Sequence, residues 1–464
     1  MGKKPITHAA KLILSTWNVG WFFFIWVFFY NDYTFDTYKF YGATASLAIY
    51  IIIYSVFCNI YKAFRIASTN IGEATFTQII SYGFADVILY VECCLINNHY
   101  VNIFPGLGIA FIQGLGSALI IYSTKRYFMH HVEPRRTMLI YGSEVEVETV
   151  QAFKDRLLKK YKHLFRIDNI VSEDDFEKSD IDSDEEFQNT EIFIMYEVCS
   201  EKRSKYLKLF IEKRKNFYFT PKIEDFLLQG SSYKQLLDTP LMKYDYSYER
   251  SGWSGMKRVM DVALAIIMLV LFSPIFLITA IAIKLEDRGP VFYRQERCTI
   301  DEKVFRIIKF RSMVVDAEAN GVKPCIGRDP RVTRVGSIIR KSRIDELPQL
   351  FNIIKGDMSF VGPRPERVEH VRQYTEAMPE FKYRTRVKAG LTGYAQIYGK
   401  YNTSAYDKLR LDLMYIETQS LLVDLKILIL TFRTMFQAES TEGFEEDRSQ
   451  EINLMALEHQ ISRN

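Results

Sequence analysis

Residues 257–288 read KRVMDVALAIIMLVLFSPIFLITAIAIKLEDR. The apolar run 259–283 is long enough to cross a bilayer, which takes about 20 residues of helix. Ser273-Pro274 interrupts it near the middle, and proline removes a backbone donor and kinks a helix. Basic residues flank both ends, Lys257 and Arg258 before the run and Lys284 and Arg288 after it. Positive flanks mark the cytoplasmic side, so both ends are expected on one side. The stretch predicts a helix-break-helix that enters the membrane and returns, with Ser273 and Pro274 as the break. A proline-kinked span is the alternative; it would put everything downstream on the far side.

Four further apolar segments lie upstream, near 12–30, 42–61, 76–97 and 103–123. Each is close to the length of a transmembrane helix. Lys3, Lys4 and Lys11 precede the first, Lys62 and Arg65 lie between the second and third, and Lys125, Arg126, Arg135 and Arg136 follow the fourth. The loops near 31–40 and 97–102 hold one Lys and no Arg. The positive-inside rule places both ends of this four-helix unit in the cytoplasm. A soluble helical bundle would need polar faces that these runs lack. The first run stands too close to further spans to be a removed leader.

Between these regions, 137–245 alternates short β-type runs (137–141, 192–198, 216–220) with charged helix-like stretches such as 145–160 and 202–215. This predicts a small Rossmann-like α/β domain. Gly142 ends the first run, where a nucleotide-binding fold carries its glycine loop, but the G-x-G-x-x-G pattern is absent. The domain is expected to serve spacing or self-association, and the acidic stretch 172–186 reads as a solvated loop. The expected partition is 1–125 (four transmembrane helices), 126–250 (α/β), 251–440 (mostly helical and catalytic) and 441–464 (acidic tail).

The formal charge of +4 is unevenly spread. Residues 251–440 carry 30 Lys/Arg and 21 Asp/Glu, a net +9, so the remainder carries −5. A basic C-terminal part suits phosphates, nucleotides or lipid headgroups. Nucleic acid is a possible reading, but the cations are interleaved with apolar runs, which favours lipid, and no nucleic-acid partner is expected. The six cysteines form no CxxC pair and read as packing residues of a reducing compartment.

The chemistry-bearing motifs follow the hairpin. In Phe305-Arg306-Ile307-Ile308-Lys309-Phe310-Arg311-Ser312-Met313, strand alternation puts Lys309 and Arg311 on one face. Such a pair can hold a diphosphate; a solvated basic strand looks the same. Asp329-Pro330-Arg331 precedes a helix-like stretch containing Arg340. Next comes Ile344-Asp345-Glu346-Leu347-Pro348-Gln349-Leu350. Proline fits best in a helix's first turn, so Asp345 and Glu346 sit at or just before a helix start. Adjacent carboxylates there suit Mg²⁺ and a docking phosphate; simple helix capping is equally open. In Gly362-Pro363-Arg364-Pro365 two prolines stiffen the backbone around one guanidinium. The run 421–436 is apolar with a sparse polar stripe and reads as an interfacial or buried helix.

Taken in order, Ser273-Pro274, Lys309–Met313, Asp329–Arg331, Asp345–Leu350, Gly362–Pro365 and Gly390-Leu391-Thr392-Gly393-Tyr394-Ala395-Gln396 resemble the bacterial sugar transferase family, polyprenyl-phosphate sugar-1-phosphate transferases with a monotopic catalytic domain. The resemblance covers about 253–440. The four-helix unit and the α/β domain resemble its larger members, which start capsule, exopolysaccharide or O-antigen units. Tyr394 stands where relatives often carry Trp.

The resemblance implies an α-helical membrane protein with α/β parts and a monotopic catalytic domain, at the cytoplasmic face of a bacterial inner membrane. It implies transfer of a sugar-1-phosphate from a UDP-sugar to undecaprenyl phosphate with release of UMP. Asp345 would be the nucleophile of a covalent phosphosugar-aspartyl intermediate, and Glu346 would help it hold Mg²⁺. Lys309, Arg311, Arg331, Arg340, Pro363, Arg364 and Pro365 would line the substrate site. The sugar is expected to be glucose or galactose, with an N-acetylated amino sugar open, and the protein is expected to be a homodimer. The rival functions are an inactive membrane scaffold for polysaccharide assembly and a glycosyltransferase forming sugar–sugar bonds.

Overall fold

A computed structural model describes residues 3–30, 41–67, 69, 71–179, 185–244, 253–315, 317, 329–399 and 403–435. The loop 31–40, part of the acidic stretch (180–184), Cys325 and the acidic tail lie outside the described residues. The chain divides into two compact units, 1–220 and 221–464.

The first unit opens with α1 (Lys3–Ile25), continued by a π-helical turn (Trp26–Tyr30), then α2 (Tyr41–Ile60), α3 (Ile71–Asn97) and α4 (Phe104–His131). These supply four candidate membrane spans, Ile6–Tyr30, Gly42–Ile60, Ile71–Ile96 and Phe104–His131. Most of their apolar side chains face outward. Leu12, Ile52, Val87, Leu95 and Phe111 are all exposed, the inverse of a water-soluble bundle and the arrangement a lipid solvent requires. The inside of the bundle packs Phe22, Trp26, Tyr50 and Leu89 and also holds polar groups. The Asn18 amide on α1 donates to Leu14 O (2.9 Å), to Tyr54 Oη on α2 (3.2 Å) and to Ser117 Oγ on α4 (3.3 Å). Tyr54 donates on to Gln78 of α3 (2.9 Å), and Gln113 of α4 returns to Asn18 O (3.0 Å). All four helices thus share one buried hydrogen-bond network, the kind of contact that joins helices where burying apolar surface gives no drive.

An α/β sheet follows within the same unit. Its elements are β1 (Arg135–Tyr141), α5 (Val147–Tyr161), β2 (Phe165–Ser172), α6 (Glu173–Lys178), α7 (Glu185–Asn189), β3 (Ile192–Tyr196), α8 (Ser200–Glu212) and β4 (Asn216–Phe219). The strands run parallel in the order β2-β1-β3-β4. Met138 to Ile140 and Phe193 to Met195 are buried whichever face they point to, because helices cover both sides. Leu139 and Ile194 pack with Val150 of α5, and Ile140 and Phe193 with Phe176, Phe187 and Phe210. Gly142 is needed because a Cβ there would overlap the Glu197 carbonyl. Beyond it the buried Glu173 carboxylate accepts from Ser143 Oγ (2.7 Å) and Cys199 N (2.9 Å). The chain's own anion therefore occupies the end of β1.

The second unit begins with α9 (Ile223–Gln229) and the hairpin of β5 (Ser232–Leu236) and β6 (Thr239–Lys243). These fall within the 126–250 segment of the expected partition but group with the C-terminal part. Helix α10 (Trp253–Leu271) and helix α11 (Ser273–Asp287) meet at a bend of 63°. Pro274 lies in the first turn of α11, and Ser273 Oγ donates to Val270 O (2.8 Å). The remaining order is β7 (Phe292–Cys298), β8 (Val304–Phe310), α12 (Arg334–Lys341), α13 (Gln349–Lys355), β9 (Ser359–Val361), α14 (Val368–Ala377), β10 (Gly390–Thr392), α15 (Tyr394–Tyr398), α16 (Ala405–Thr418) and α17 (Leu421–Met435). Strands β7 and β8 form an antiparallel ribbon, and β9 and β10 a short parallel pair. The parallel pair explains two glycines of the sixth motif. A Cβ on Gly390 would overlap the backbone of Gly362, and one on Gly393 would overlap the Gly362 carbonyl.

The polar network of the first unit is testable. Asn18→Leu in the full chain should lower resistance to thermal unfolding in detergent by roughly 0.5–2 kcal/mol, the range measured for interhelical hydrogen bonds in membranes. Unchanged unfolding would show that Asn18 does not tie the helices together.

Candidate active site

The chain between α12 and α13 is where the acidic motif lies. Arg343 takes a left-handed backbone (φ 59°) and so ends the α12 segment abruptly. Ile344–Glu346 then form a 3-10 turn, and Pro348 caps α13. Asn352 pins α13 to the ribbon. Its Oδ1 accepts from Ile308 N (2.9 Å) and its Nδ2 donates to Arg306 O (2.9 Å). This brings the 3-10 turn alongside the end of β8.

Glu346 is the anchored member of the carboxylate pair. Its Oε1 accepts from Lys309 Nζ (3.1 Å) and from Arg364 Nη2 (3.1 Å). Burial alone would raise its pKa, but Lys309, Arg364 and Arg343 outweigh that and hold it well below the usual carboxylate range. Asp345 differs. It makes no hydrogen bond or ion pair among the described residues. Burial first, and the Glu346 charge second, push its pKa up to about 6, against the pull of Lys309, Arg340 and Arg343. Two adjacent carboxylates therefore have opposite characters, one ionised and committed, the other half-buried and unengaged.

Lys309, Arg340 and Arg364 surround the pair. Arg364 is 44% exposed and stands between the buried Pro363 and Pro365. Two expected cations go elsewhere. Arg311 lies just past the end of β8, is buried, and forks onto the Asp287 carboxylate while donating to Pro290 O (2.6 Å). The strand alternation that would have placed it beside Lys309 ends at Phe310. Arg331 forks onto Asp329 two residues away (2.6 and 2.9 Å). Both fasten the fold around the site. The motifs did not single out Arg343, or the layer of Arg297, Glu366, Arg384 and Asp412 behind Arg364. These are scattered charges in sequence, and only the tertiary fold collects them.

The donor set can be tested against a divalent cation. No group of three or more His, Cys, Asp or Glu able to hold a metal occurs among the described residues. Asp345 and Glu346 alone match what Mg²⁺ takes when it arrives with a phosphate, one or two carboxylates with water and phosphate oxygens completing the shell. They fit an ion shared with substrate.

Comparison with known proteins gives the family. The profile of the bacterial sugar transferases matches residues 253–438. Over 189 residues the chain is 41% identical to a UDP-glucose:undecaprenyl-phosphate glucose-1-phosphate transferase of Caulobacter vibrioides, covering 40% of this chain and 71% of that protein. The chain belongs to the bacterial sugar transferase family. It is also 46% identical over 186 residues to a UDP-N-acetylgalactosamine-undecaprenyl-phosphate N-acetylgalactosaminephosphotransferase of Aeromonas hydrophila, covering 39% of this chain and 44% of that one. It is 40% identical over 210 residues to a UDP-glucose:undecaprenyl-phosphate glucose-1-phosphate transferase of Escherichia coli, covering 44% and 43%. The match thus spans a little under half the length of these last two relatives. The profile's span, 253–438, includes every residue of the candidate site in this bacterial sugar transferase.

The raised pKa of Asp345 carries a sign for stability. An unfolded Asp loses its proton near pH 4, the folded one near 6. The folded state then binds more protons between these values, so stability falls as pH rises from about 4 to 6 and stays reduced above. Asp345→Asn should stabilise the metal-free chain at pH 7.5 by roughly 1–3 kcal/mol, and the gain should vanish below about pH 4. Thermal unfolding at the two pH values measures this; a gain equal at both would contradict it.

Proposed function

We propose that this protein transfers a sugar-1-phosphate from a UDP-sugar to undecaprenyl phosphate, with Asp345 as nucleophile. The observation that carries the reading is the division of labour in the carboxylate pair. Glu346 is held by Lys309 and Arg364, while Asp345 has no bonded partner among the described residues. A nucleophilic carboxylate must be ionised, accessible and close to groups that neutralise the phosphate it attacks.

In the first step an Asp345 oxygen bonds to the sugar-bearing phosphorus. The bond from that phosphorus to the bridging oxygen breaks, and UMP leaves with the electron pair. An oxygen of undecaprenyl phosphate then attacks the same phosphorus, releasing the Asp345 carboxylate and forming the lipid-linked diphosphate. Arg364, Lys309 and Arg340 counter the charge of the transferred group. Asp345 and Glu346 would hold Mg²⁺, which supplies further charge neutralisation when bound.

The bent pair α10–α11 reads as a re-entrant hairpin. Near its start, Arg258 donates to the carbonyls of Ile353 and Ile354 (2.5 and 2.6 Å) and Asp261 accepts from Phe360 N (3.1 Å). At its end, Glu286 accepts from Arg334 N (2.7 Å) and Asp287 pairs with Arg311. Both ends are tied to the same folded body, which supports one membrane side for both. That side is the cytoplasm, where UDP-sugars are made, at the bacterial inner membrane. The α/β part reads as a Rossmann-like domain that has given up nucleotide binding, and the first unit as the place of self-association in a homodimer. Relatives named for glucose and for N-acetylgalactosamine leave the sugar to experiment. The pathway is initiation of a capsule, exopolysaccharide or O-antigen.

Purified protein with undecaprenyl phosphate, Mg²⁺ and a panel of UDP-sugars should release UMP with one donor and lose the activity on Asp345→Asn. Release of UDP would indicate sugar–sugar transfer, and no release with any donor would favour a scaffold. A cysteine-accessibility reporter fused after residue 445 should be protected from an impermeant reagent in intact cells; labelling there would replace the hairpin with a span.

A further inference from the structure

Arg364 is presented by a backbone that is itself held from behind. Arg384 is 4% exposed, lies over the Phe381 ring (4.9 Å) and donates from Nη2 to the Arg364 carbonyl (2.9 Å). The same nitrogen lies 2.8 Å from Oδ2 of Asp412, which is 1% exposed. Glu366 approaches the other terminal nitrogen at 3.8 Å, and Lys408 approaches Glu366 at 3.9 Å. One residue on, Arg297 donates to the Pro365 carbonyl (3.2 Å). Two arginines thus grip successive carbonyls of the Pro363–Pro365 segment, and Asp412, on α16, fixes one of them.

This is costly construction for a surface turn. A buried ion pair gains little net stability over an apolar pair of similar shape, so the arrangement needs another reason. Pro363 and Pro365 fix φ on either side of Arg364 but leave the orientation of its peptide open. The Arg384 bond sets that orientation, and the orientation sets where the Arg364 guanidinium reaches. We infer that Arg384, held by Asp412, is a positioning residue that aims Arg364 at Glu346 and at the phosphate bound beside it. The inference rests on the transferase reading for its effect on rate, but not for its effect on geometry.

Arg384→Lys keeps a positive charge near Asp412 but removes Nη2, the nitrogen that reaches both Asp412 and the Arg364 carbonyl. The full-length variant in detergent should release UMP at least about tenfold more slowly, in line with the sensitivity of catalysis to ångström misplacement, with its unfolding midpoint nearly unchanged. In an Arg364→Ala background the same substitution should cost nothing further, because its effect passes through Arg364. Equal losses in both backgrounds, or a rate loss matched by a fall in unfolding midpoint, would overturn the inference. Arg384→Met with Asp412→Leu covers the case in which the lysine variant fails to fold. It replaces the pair by apolar groups and should show the same dependence on Arg364. A structure of whichever variant folds gives an arm independent of activity. Loss of the contact between Arg364 and Glu346 supports positioning, and its retention refutes it. If the unmodified protein releases no nucleotide, the transferase reading fails while this structural arm still decides the inference.

Discussion

The second unit depends on how its bent helix pair is fastened. An isolated bent pair of apolar helices has no reason to keep a fixed angle to the rest of the unit. Here α10 is bound through Arg258 to the Ile353 and Ile354 carbonyls near the end of α13, where a helix runs short of intrahelical donors. Lys257 reaches Asp424 and Tyr415 of α17 and α16. At the other end Glu286 meets the first amides of α12. The two helices that frame the 3-10 turn, α12 and α13, are therefore each joined to one arm of the hairpin. Asp345 and Glu346 inherit their position from that pair of attachments; under the proposed transfer, this would keep donor and lipid acceptor at one depth.

This arrangement changes the meaning of the charges beside the apolar run. In sequence Lys257, Arg258 and Lys284 read as topological signals, and the positive-inside rule needs nothing more of them. In the fold Lys257 and Arg258 are partly buried and bonded to protein groups. Neither meaning excludes the other. Basic residues beside an apolar run can satisfy the rule and also bond to nearby helix carbonyls.

Local patterns made much of the molecule legible. Run length gave the four helices, proline chemistry gave the break at Ser273-Pro274, and Pro348 placed Asp345 and Glu346 just before a helix. Arg311 shows where such reasoning stops. Its pairing with Lys309 rested on strand alternation, and the strand ends one residue too soon. Its partner, Asp287, is 24 positions away, so no local pattern reveals it. Arg384 and Asp412 were illegible for the same reason. Each is an ordinary charge in a helical stretch until the β9–β10 pair and α16 bring them under the Pro363–Pro365 segment.

Buried charge in the second unit has a common logic. Arg311 with Asp287, Arg384 with Asp412, Arg386 with Glu417 and Lys257 with Asp424 all remove ions from water. Such pairs are poor sources of stability but intolerant of alternatives, since any rearrangement strands a charge. A site that must keep three cations around two carboxylates without letting them collapse onto both needs that intolerance. Were Lys309 or Arg364 free to move a few ångströms, either could neutralise Asp345 as it now neutralises Glu346, and the unengaged carboxylate would be lost. The buried pairs hold neighbouring backbone in one arrangement, so the cations satisfy Glu346 and stop there.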